Sequence, residues 1–301
     1  MKYFALSLDP IHVGAGGYRL GRVDNTIVRE PATDVPKIPG TSLAGAVREY
    51  TTIWLKEKSD ECKNKNKKEK EECALRKANE YFGDKTRQGV VRFYDAQIIL
   101  FPVTSINGTV WITTKAILEG WMKEEGEQND EKIKIPQDAK NEAYIIKWDE
   151  DQPGTLNLGW LLLKVKKMPD NDNQETVKLP AKLNFIKRIA VVSDKLFSHL
   201  VNDNLEVRTS VRIDSETGAA AEGALFTYEA IPRGTVFGFE MAVDDRRRTE
   251  GESDIIEKIK NAFIYLKMLG IGGMGTRGFG RLEVLRSDAG NKQDEEGGGA
   301  K

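Results

Sequence analysis

The stretch from residue 14 to 48, GAGGYRLGRVDNTIVREPATDVPKIPGTSLAGAVR, does more than any other to restrict what this chain can become. It reads as a Gly-rich loop, an exposed segment carrying Asp24, a turn through Pro36, Pro39 and Gly40, and a helix opened by Thr41 or Ser42. A helix begun by Ser or Thr presents unpaired backbone N–H groups and the positive end of its dipole, which suits a phosphate. The loops would then bring one carboxylate near a phosphate site, an arrangement that fits phosphodiester chemistry. The same spacing has a purely structural reading. Pro-Gly ahead of a Ser-led helix is ordinary strand-to-helix punctuation, and a loop Asp is as readily a solvated residue or turn former. Spacing alone leaves both open.

Three runs carry a resemblance. His12-Val13-Gly14, the GRVDNTIVR run from Gly21 to Arg29, and the PKIPGTSLAG run from Pro36 to Gly45 with Arg48 beyond it stand in one order. They resemble the N-terminal signature of the RAMP proteins of CRISPR systems, and more narrowly the backbone subunits of type III effector complexes. Ala44 departs from that pattern. The family's usual Lys there contacts RNA, so the resemblance implies that this contact is missing.

Charge gives no independent signal. The chain has 301 residues, enough for one large domain with insertions or two small ones, and its 46 basic and 47 acidic side chains leave a net charge of −1. An RNA surface must therefore come from local placement. Cys62 and Cys73 are the only cysteines, too few for a disulfide framework or a thiolate zinc site, and are read as two reduced structural thiols. With only His12 and His199, a histidine metal cage is excluded. No apolar run approaches membrane-spanning length and no signal-peptide pattern opens the chain, so no membrane partner and a cytoplasmic location are expected. Asn107-Gly108-Thr109 matches a glycosylation acceptor only by chance there.

Along the chain, Tyr3 to Leu8 alternates as a half-buried first strand, with Phe4, Leu6 and Leu8 on one side. The helix from Ser42 puts Leu43, Val47, Tyr50 and Trp54 on one stripe, to pack on a sheet. Residues 56–89 read as a charged helical insertion, its Lys/Glu-dense part from Lys56 to Glu72 a solvated helix or mobile segment. Val90 to Val103 and Thr109 to Thr113 are strands joined by a turn at Ile106-Asn107-Gly108. Asp95 between them reads as structural. Residues 115–180 form a lid-like insertion with strands at Ala143 to Trp148 and Gly159 to Val165 and a polar loop at Met168 to Thr176. Ile189 to Val201 is a short strand and a helix capped by Ser193 or Asp194, with His199 a packing or surface residue.

Residues 206–231 form a long β-hairpin, EVRTSVRI and ALFTYEAI around the turn Asp214 to Gly218, which places Arg208 and Arg212 on one side of a strand. A further strand, Thr235 to Val243, and a charged loop lead to a helix capped by Asp254, with Ile255, Ile259, Phe263, Leu266 and Leu269 on one apolar stripe. It ends in GIGGMGTRGFG, Gly270 to Gly280. Gly270, Gly272 and Gly275 satisfy a dinucleotide-binding spacing. That loop follows a helix and precedes a strand, the reverse of the Rossmann order. Residues 287–301 are polar, Gly-rich and read as a disordered tail.

The FxDAxxxxFPVxS run from Phe93 to Ser105, the hairpin and the Gly-rich loop also resemble RAMP segments, in family order. Together they are similar to the backbone subunit of the type III-B (Cmr) complex, in the Cas seven family, with the type III-A (Csm) subunit the runner-up. The resemblance implies an α+β fold, a modified RNA-recognition-motif (ferredoxin-like) RAMP domain with a lid insertion and a projecting β-hairpin thumb. It implies copies assembled head to tail on CRISPR RNA with other subunits of the effector complex, and target RNA pairing with the exposed guide. The thumb would kink that duplex, and unstacking a base step costs a few kcal/mol. RNA contacts are expected at His12, Gly14, Gly40, Thr41, Ser42, Arg48, Arg208, Arg212, Gly272, Gly273 and Arg277, the glycines for close approach to phosphates. Asp24 takes the family's cleavage position, holding a divalent cation (Mg²⁺ or Mn²⁺) or accepting the proton as a target 2′-hydroxyl attacks its neighbouring phosphate. His12 is a helper there or simply fixes the loop. A non-catalytic RNA scaffold and a guide-processing ribonuclease are the competing classes.

Overall fold

The computed structural model describes residues 1–16, 23–121, 141–149, 151–166, 179–213, 216, 218–244, 246 and 251–286. The chain is organised around β1 (Lys2–Ser7), which pairs antiparallel with both β12 (Val236–Val243) and β13 (Leu282–Arg286). Phe4 lies opposite Gly238 on one neighbour and Leu285 on the other. The expected half-buried strand is covered on both faces. Tyr3 and Ala5 point to α1 (Gly40–Glu57) and α5 (Glu252–Met268), with the Tyr3 ring 5.3 Å from Phe239 and 5.6 Å from Phe263. Phe4 points the other way, onto Trp121 at 6.1 Å.

The remaining strands extend this sheet. They are β2 (Lys37–Ile38), β3 (Val91–Phe93), β4 (Ala96–Ser105), β5 (Gly108–Thr113), β6 (Glu142–Lys147), β7 (Thr155–Leu158), β8 (Leu161–Lys166) and β9 (Ile189–Val191). The strand order is β13-β1-β12-β4-β5-β9-β6-β8-β7, with β2 on β4 and β3 on β12, an eleven-stranded α+β sheet among the described residues. The β4–β5 turn falls where the sequence places it, with Ser105 opposite Gly108, whose φ of 88° favours glycine. The described part of the expected lid insertion is continuous with the sheet. Ala143, Leu156, Leu158 and Leu163 are buried in the main core, while residues 122–140, 150 and 167–178, including the polar loop, lie outside the described residues.

The two sheet faces are closed differently. α1 buries Leu43, Val47 and Leu55 on the helix side, with Tyr50 and Trp54 half-buried beside them. On the far face, α3 (Lys115–Trp121) drops the Trp121 ring over Gly238, where an added Cβ would meet it at 2.6 Å. Leu183 and Ile186 cover the adjoining part.

Most of Lys56 to Glu72 is exposed, with Ser59 and Cys62 buried, and the insertion's other buried residues begin beyond Glu72. α2 (Lys67–Phe82), capped by the Asn66 side chain accepting from Glu69 N–H at 3.0 Å, buries Cys73, Ala74, Ala78 and Tyr81. Lys67, Lys68, Glu69, Glu71 and Glu72 are exposed on its first turns, whereas Lys77 is largely covered and pairs with Glu61 at 2.9 Å. The expectation of reduced thiols is overturned: Cys62 and Cys73 form a disulfide. The chain doubles back between α1 and α2, which sets the two Cα atoms 5.8 Å apart, within bridging range. Helix starts also differ. α1 begins at Gly40 with Pro39 at the cap, and α5 begins at Glu252 after Gly251, so neither Thr41, Ser42 nor Asp254 caps its helix. α4 (Asp194–Asp203) is capped by Ser193, and His199 is exposed. The tail at 287–301 lies outside the described residues.

Gly238→Ala is expected to destabilise the domain by about 1–3 kcal/mol, since the Trp121 ring must move, and urea denaturation measures this. Replacing both cysteines with Ser is expected to lower stability by about 2–3 kcal/mol, the scale for so short a closed loop, read as a shift in denaturation midpoint absent under reducing conditions.

Candidate nucleic-acid interface

β10 (Glu206–Ile213) and β11 (Ala220–Ala230) form a two-stranded sheet apart from the large one. Opposition of Arg208 to Tyr228 and Ser210 to Phe226 gives the arm one face of arginine and aromatic rings. The other face carries Val211, Ile213 and Leu225, exposed by 41, 56 and 66%. Arg212 lies on β10, its side chain outside the described residues, as are residues 214, 215 and 217 of the turn.

β11 has a second partner. The acidic segment runs along its free edge, where Asn25 N–H donates to the Thr227 carbonyl at 3.0 Å and Glu229 N–H donates to the Asn25 carbonyl at 3.2 Å. Gly21 and Arg22 of the same motif lie outside the described residues. Asp24 is exposed and fastened to the arm. Its Oδ2 accepts from the Thr227 N–H at 2.7 Å and the Thr227 hydroxyl at 2.9 Å. These two donors hold the carboxyl below its ordinary range. Oδ1 takes no hydrogen bond from another residue among the described residues, and the Asp24 N–H adds a smaller lowering of its own.

A buried ion pair anchors this segment. Arg29 grips Glu229 with two parallel hydrogen bonds, 2.7 Å to Oε1 and 2.9 Å to Oε2, and Ile27 N–H donates to Oε1 at 2.9 Å. Burial pulls the Glu229 carboxyl up, but Arg29 and the Ile27 N–H outweigh it and hold it below its ordinary value.

The C-terminal glycine loop closes over the base of the arm. Phe279 packs on Tyr228 at 5.5 Å, Arg208 sits over the Phe279 ring at 4.5 Å, and Arg277 over Phe226 at 5.5 Å. The same loop is bound to the N-terminal segment through His12. Gly273 N–H donates to the His12 carbonyl at 2.8 Å, and His12 Nδ1 lies 2.7 Å from the Glu229 carbonyl, making that nitrogen the donor. Gly14 lies against the other edge of the ring, an added Cβ falling 3.3 Å from Nε2. Gly272 has φ of 86°, and a Cβ there would sit 2.4 Å from the His12 carbonyl oxygen. The chain's approach to itself is therefore enough to demand glycine at Gly272. Gly272, Gly273 and Arg277 remain exposed.

At the start of α1 the Gly40 and Ser42 N–H groups meet the protein's own acceptors. Gly40 N–H donates to Asp95 Oδ1 at 2.7 Å, while Ser42 and Leu43 N–H both donate to the Pro39 carbonyl, at 2.9 and 3.0 Å. The protein's own groups thus engage the Gly40 and Ser42 N–H groups, while Thr41 is exposed, and Asp95 also pairs with Lys37 at 2.6 Å. Arg48 turns to α2, donating to Asn79 Oδ1 at 2.5 Å. The structure thus brings together Asp24, His12, Gly14, Gly272, Gly273, Arg208 and Arg277 around β11, and joins α1 to this group through the Tyr50 hydroxyl, which donates to the Gly270 carbonyl at 2.5 Å. Sequence reasoning missed Thr227, Glu229 and Phe279. The alternation of Thr227 and Glu229 in the ALFTYEAI strand, two polar groups on one face, was the available signal.

A sheet carrying a detached β-arm, flanked by an acidic segment and a glycine loop, defines a class. The RAMP superfamily pattern matches residues 6–283, and the chain belongs to that superfamily. Within it, the chain is 28% identical over 308 residues, 95% of each protein, to the CRISPR system Cmr endoribonuclease Cmr4 of Pyrococcus furiosus. Its fold matches a subunit of the type III-B Cmr-beta complex bound to cognate target RNA, with a TM-score of 0.65 at 18% identity over 94% of this chain and 95% of that one. It also matches oligomeric Cmr4 from Pyrococcus furiosus, with a TM-score of 0.60 at 22% identity over 94 and 96%.

Arg29→Met is expected to cost about 3 kcal/mol at neutral pH, because it leaves the Glu229 carboxylate buried and unpaired. A carboxyl with a depressed folded pKa stabilises above its ordinary range and loses that contribution as pH falls through the lowered value. The gap between variant and wild type should therefore close on acidification below the ordinary carboxylate range, in urea titrations run across pH.

Proposed function

We propose that this chain is a backbone subunit of a type III-B CRISPR effector complex that binds CRISPR RNA, stacks head to tail with its own copies beside other subunits, and cuts complementary target RNA in the cytoplasm. No helix among the described residues is long and apolar enough to cross a membrane. The observation that carries the reading is Asp24, an exposed carboxylate clamped by Thr227 to the β-arm, its Oδ1 taking no hydrogen bond from another residue among the described residues.

The arm supplies the geometry. The apolar side chains Val211, Ile213 and Leu225 are placed to wedge into a guide–target duplex, and the displaced nucleotide leaves its 2′-hydroxyl free to align with the adjacent phosphate. Arg208, Arg277 and the exposed glycines Gly272 and Gly273 lie beside the arm to receive the backbone. In the reaction the 2′-oxygen bonds to phosphorus and the P–O5′ bond breaks. The hydroxyl proton passes to water and the leaving 5′-oxygen takes a proton from water, giving a 2′,3′-cyclic phosphate and a 5′-hydroxyl end.

Thr227 determines what Asp24 does. A carboxyl held below its ordinary range is ionised at neutral pH and is a weak base, which favours holding a cation over taking the proton. Among the described residues no cluster of three or more His, Cys, Asp or Glu is placed to hold a metal. Asp24 would therefore hold Mg²⁺ or Mn²⁺ by a single carboxylate, with RNA phosphate oxygens and water completing the shell. Such an ion supplies Lewis-acid neutralisation of the charge that builds on the phosphate. His12 acts through position, tying the glycine loop to the Glu229 backbone.

Asp24→Ala in the assembled complex is expected to lower target-RNA cutting by about 10²–10³-fold, the scale for one electrostatic contact to a transition state. RNA affinity should be unchanged, and chelation of divalent cations should stop the wild-type reaction. Undiminished cutting by Asp24→Ala would leave an RNA scaffold, and efficient cutting of precursor RNA by the isolated protein under chelation would point to guide processing.

A further inference from the structure

The far face of the sheet has an open groove of about 690 Å³ that the Asp24 site does not use. Its floor is made by the outward residues of three strands, Leu6, Thr104 and Trp111 among them, alternating with Ala5, Val103 and Ile112 in the helix-side core. One wall is aromatic. Phe185 stands edge-on to Trp111 at 5.8 Å with 49% of its surface exposed, and Trp111 is fixed by its indole N–H donating to the Gly234 carbonyl at 2.8 Å. The opposite rim is basic. Arg281 is neutralised by Asp9, at 2.5 and 3.0 Å, whereas the exposed Arg233 makes no hydrogen bond or ion pair among the described residues. Arg233 follows β11 closely, so the rim is the root of the β-arm.

We propose that this groove binds one unpaired nucleotide of single-stranded RNA, the base against Phe185 and a phosphate on Arg233. An aromatic wall, an exposed guanidinium and strand hydroxyls such as Thr104 and Thr109 match a base, a phosphate and a sugar edge. The volume lies in the range of small-ligand sites. The inference rests on the reading of the chain as an RNA-binding protein and is independent of the cleavage chemistry at Asp24.

The test uses the full chain and a short labelled oligouridylate, with affinity read by fluorescence anisotropy and the locus by photocross-linking of 4-thiouridine RNA followed by peptide mapping. Phe185→Leu, which keeps bulk and removes the ring, and Arg233→Glu are each expected to weaken binding about tenfold. Cross-links to Phe185 should be present in wild type and in Asp24→Ala and lost in Phe185→Leu. Unchanged affinity in both variants with no cross-link at the groove overturns the proposal while leaving RNA binding elsewhere intact. Absence of wild-type RNA binding overturns both it and the functional reading. A change in oligomeric state on sedimentation without RNA, with affinity per subunit unaltered, assigns the groove to a second copy of the chain and overturns it too.

Discussion

The paired hydrogen bonds between Arg29 and Glu229 are the interaction on which the rest of the site depends. A carboxylate this well buried is tolerated only when a cation and further donors satisfy it. Arg29 and the Ile27 N–H do so from one segment, while Glu229 belongs to another, two hundred residues away along the chain. The pair therefore fixes register: with Glu229 in place, Asn25 must run beside Tyr228 and Asp24 must meet Thr227. A carboxylate in a loop is thereby held on a defined strand, which is what a preorganised site requires.

A second constraint works through absence of side chains. Gly272 lets the C-terminal loop lie against the His12 backbone, and Gly280 lets the same loop close on Ile271, whose carbonyl would be 2.4 Å from an added Cβ. The loop's other exposed residues are then free to face a ligand. His12 stands where three segments meet, bonded through its ring to β11 and through its carbonyl to the glycine loop. Its place in an HxG run reflects that junction.

The helix N-terminus shows how a sound local rule yields to tertiary structure. Pro39-Gly40 does begin a helix with open N–H groups, the arrangement that attracts an anion. Asp95, brought in by the turn between β3 and β4, is that anion, and Lys37 balances it. The overall neutrality of the chain conceals a local sorting of charge, in which most acidic groups near the arm are paired and Asp24 Oδ1 takes no hydrogen bond from another residue among the described residues.

Much of the local structure was legible in the residues. Alternation located the strands of the β4–β5 hairpin and the arm, helical spacing located α1, α4 and α5, and the motif order carried the superfamily. Composition described the exposed Lys/Glu-rich start of α2 and was silent on its buried side beyond Glu72, made of Cys73, Ala74, Ala78 and Tyr81. The disulfide was equally out of reach, since the separation of Cys62 and Cys73 is set by how two helices dock. The sequence by itself determined which segments are strands, helices and glycine turns, because those follow from the conformational preferences and periodic burial of neighbouring residues. Only the tertiary structure decided that Asp24 is clamped by Thr227, that Glu229 is paired with Arg29 and that Asp95 fills the helix start. Each of these is a contact between groups far apart along the chain, and no local periodicity encodes which distant partner a polar side chain will meet.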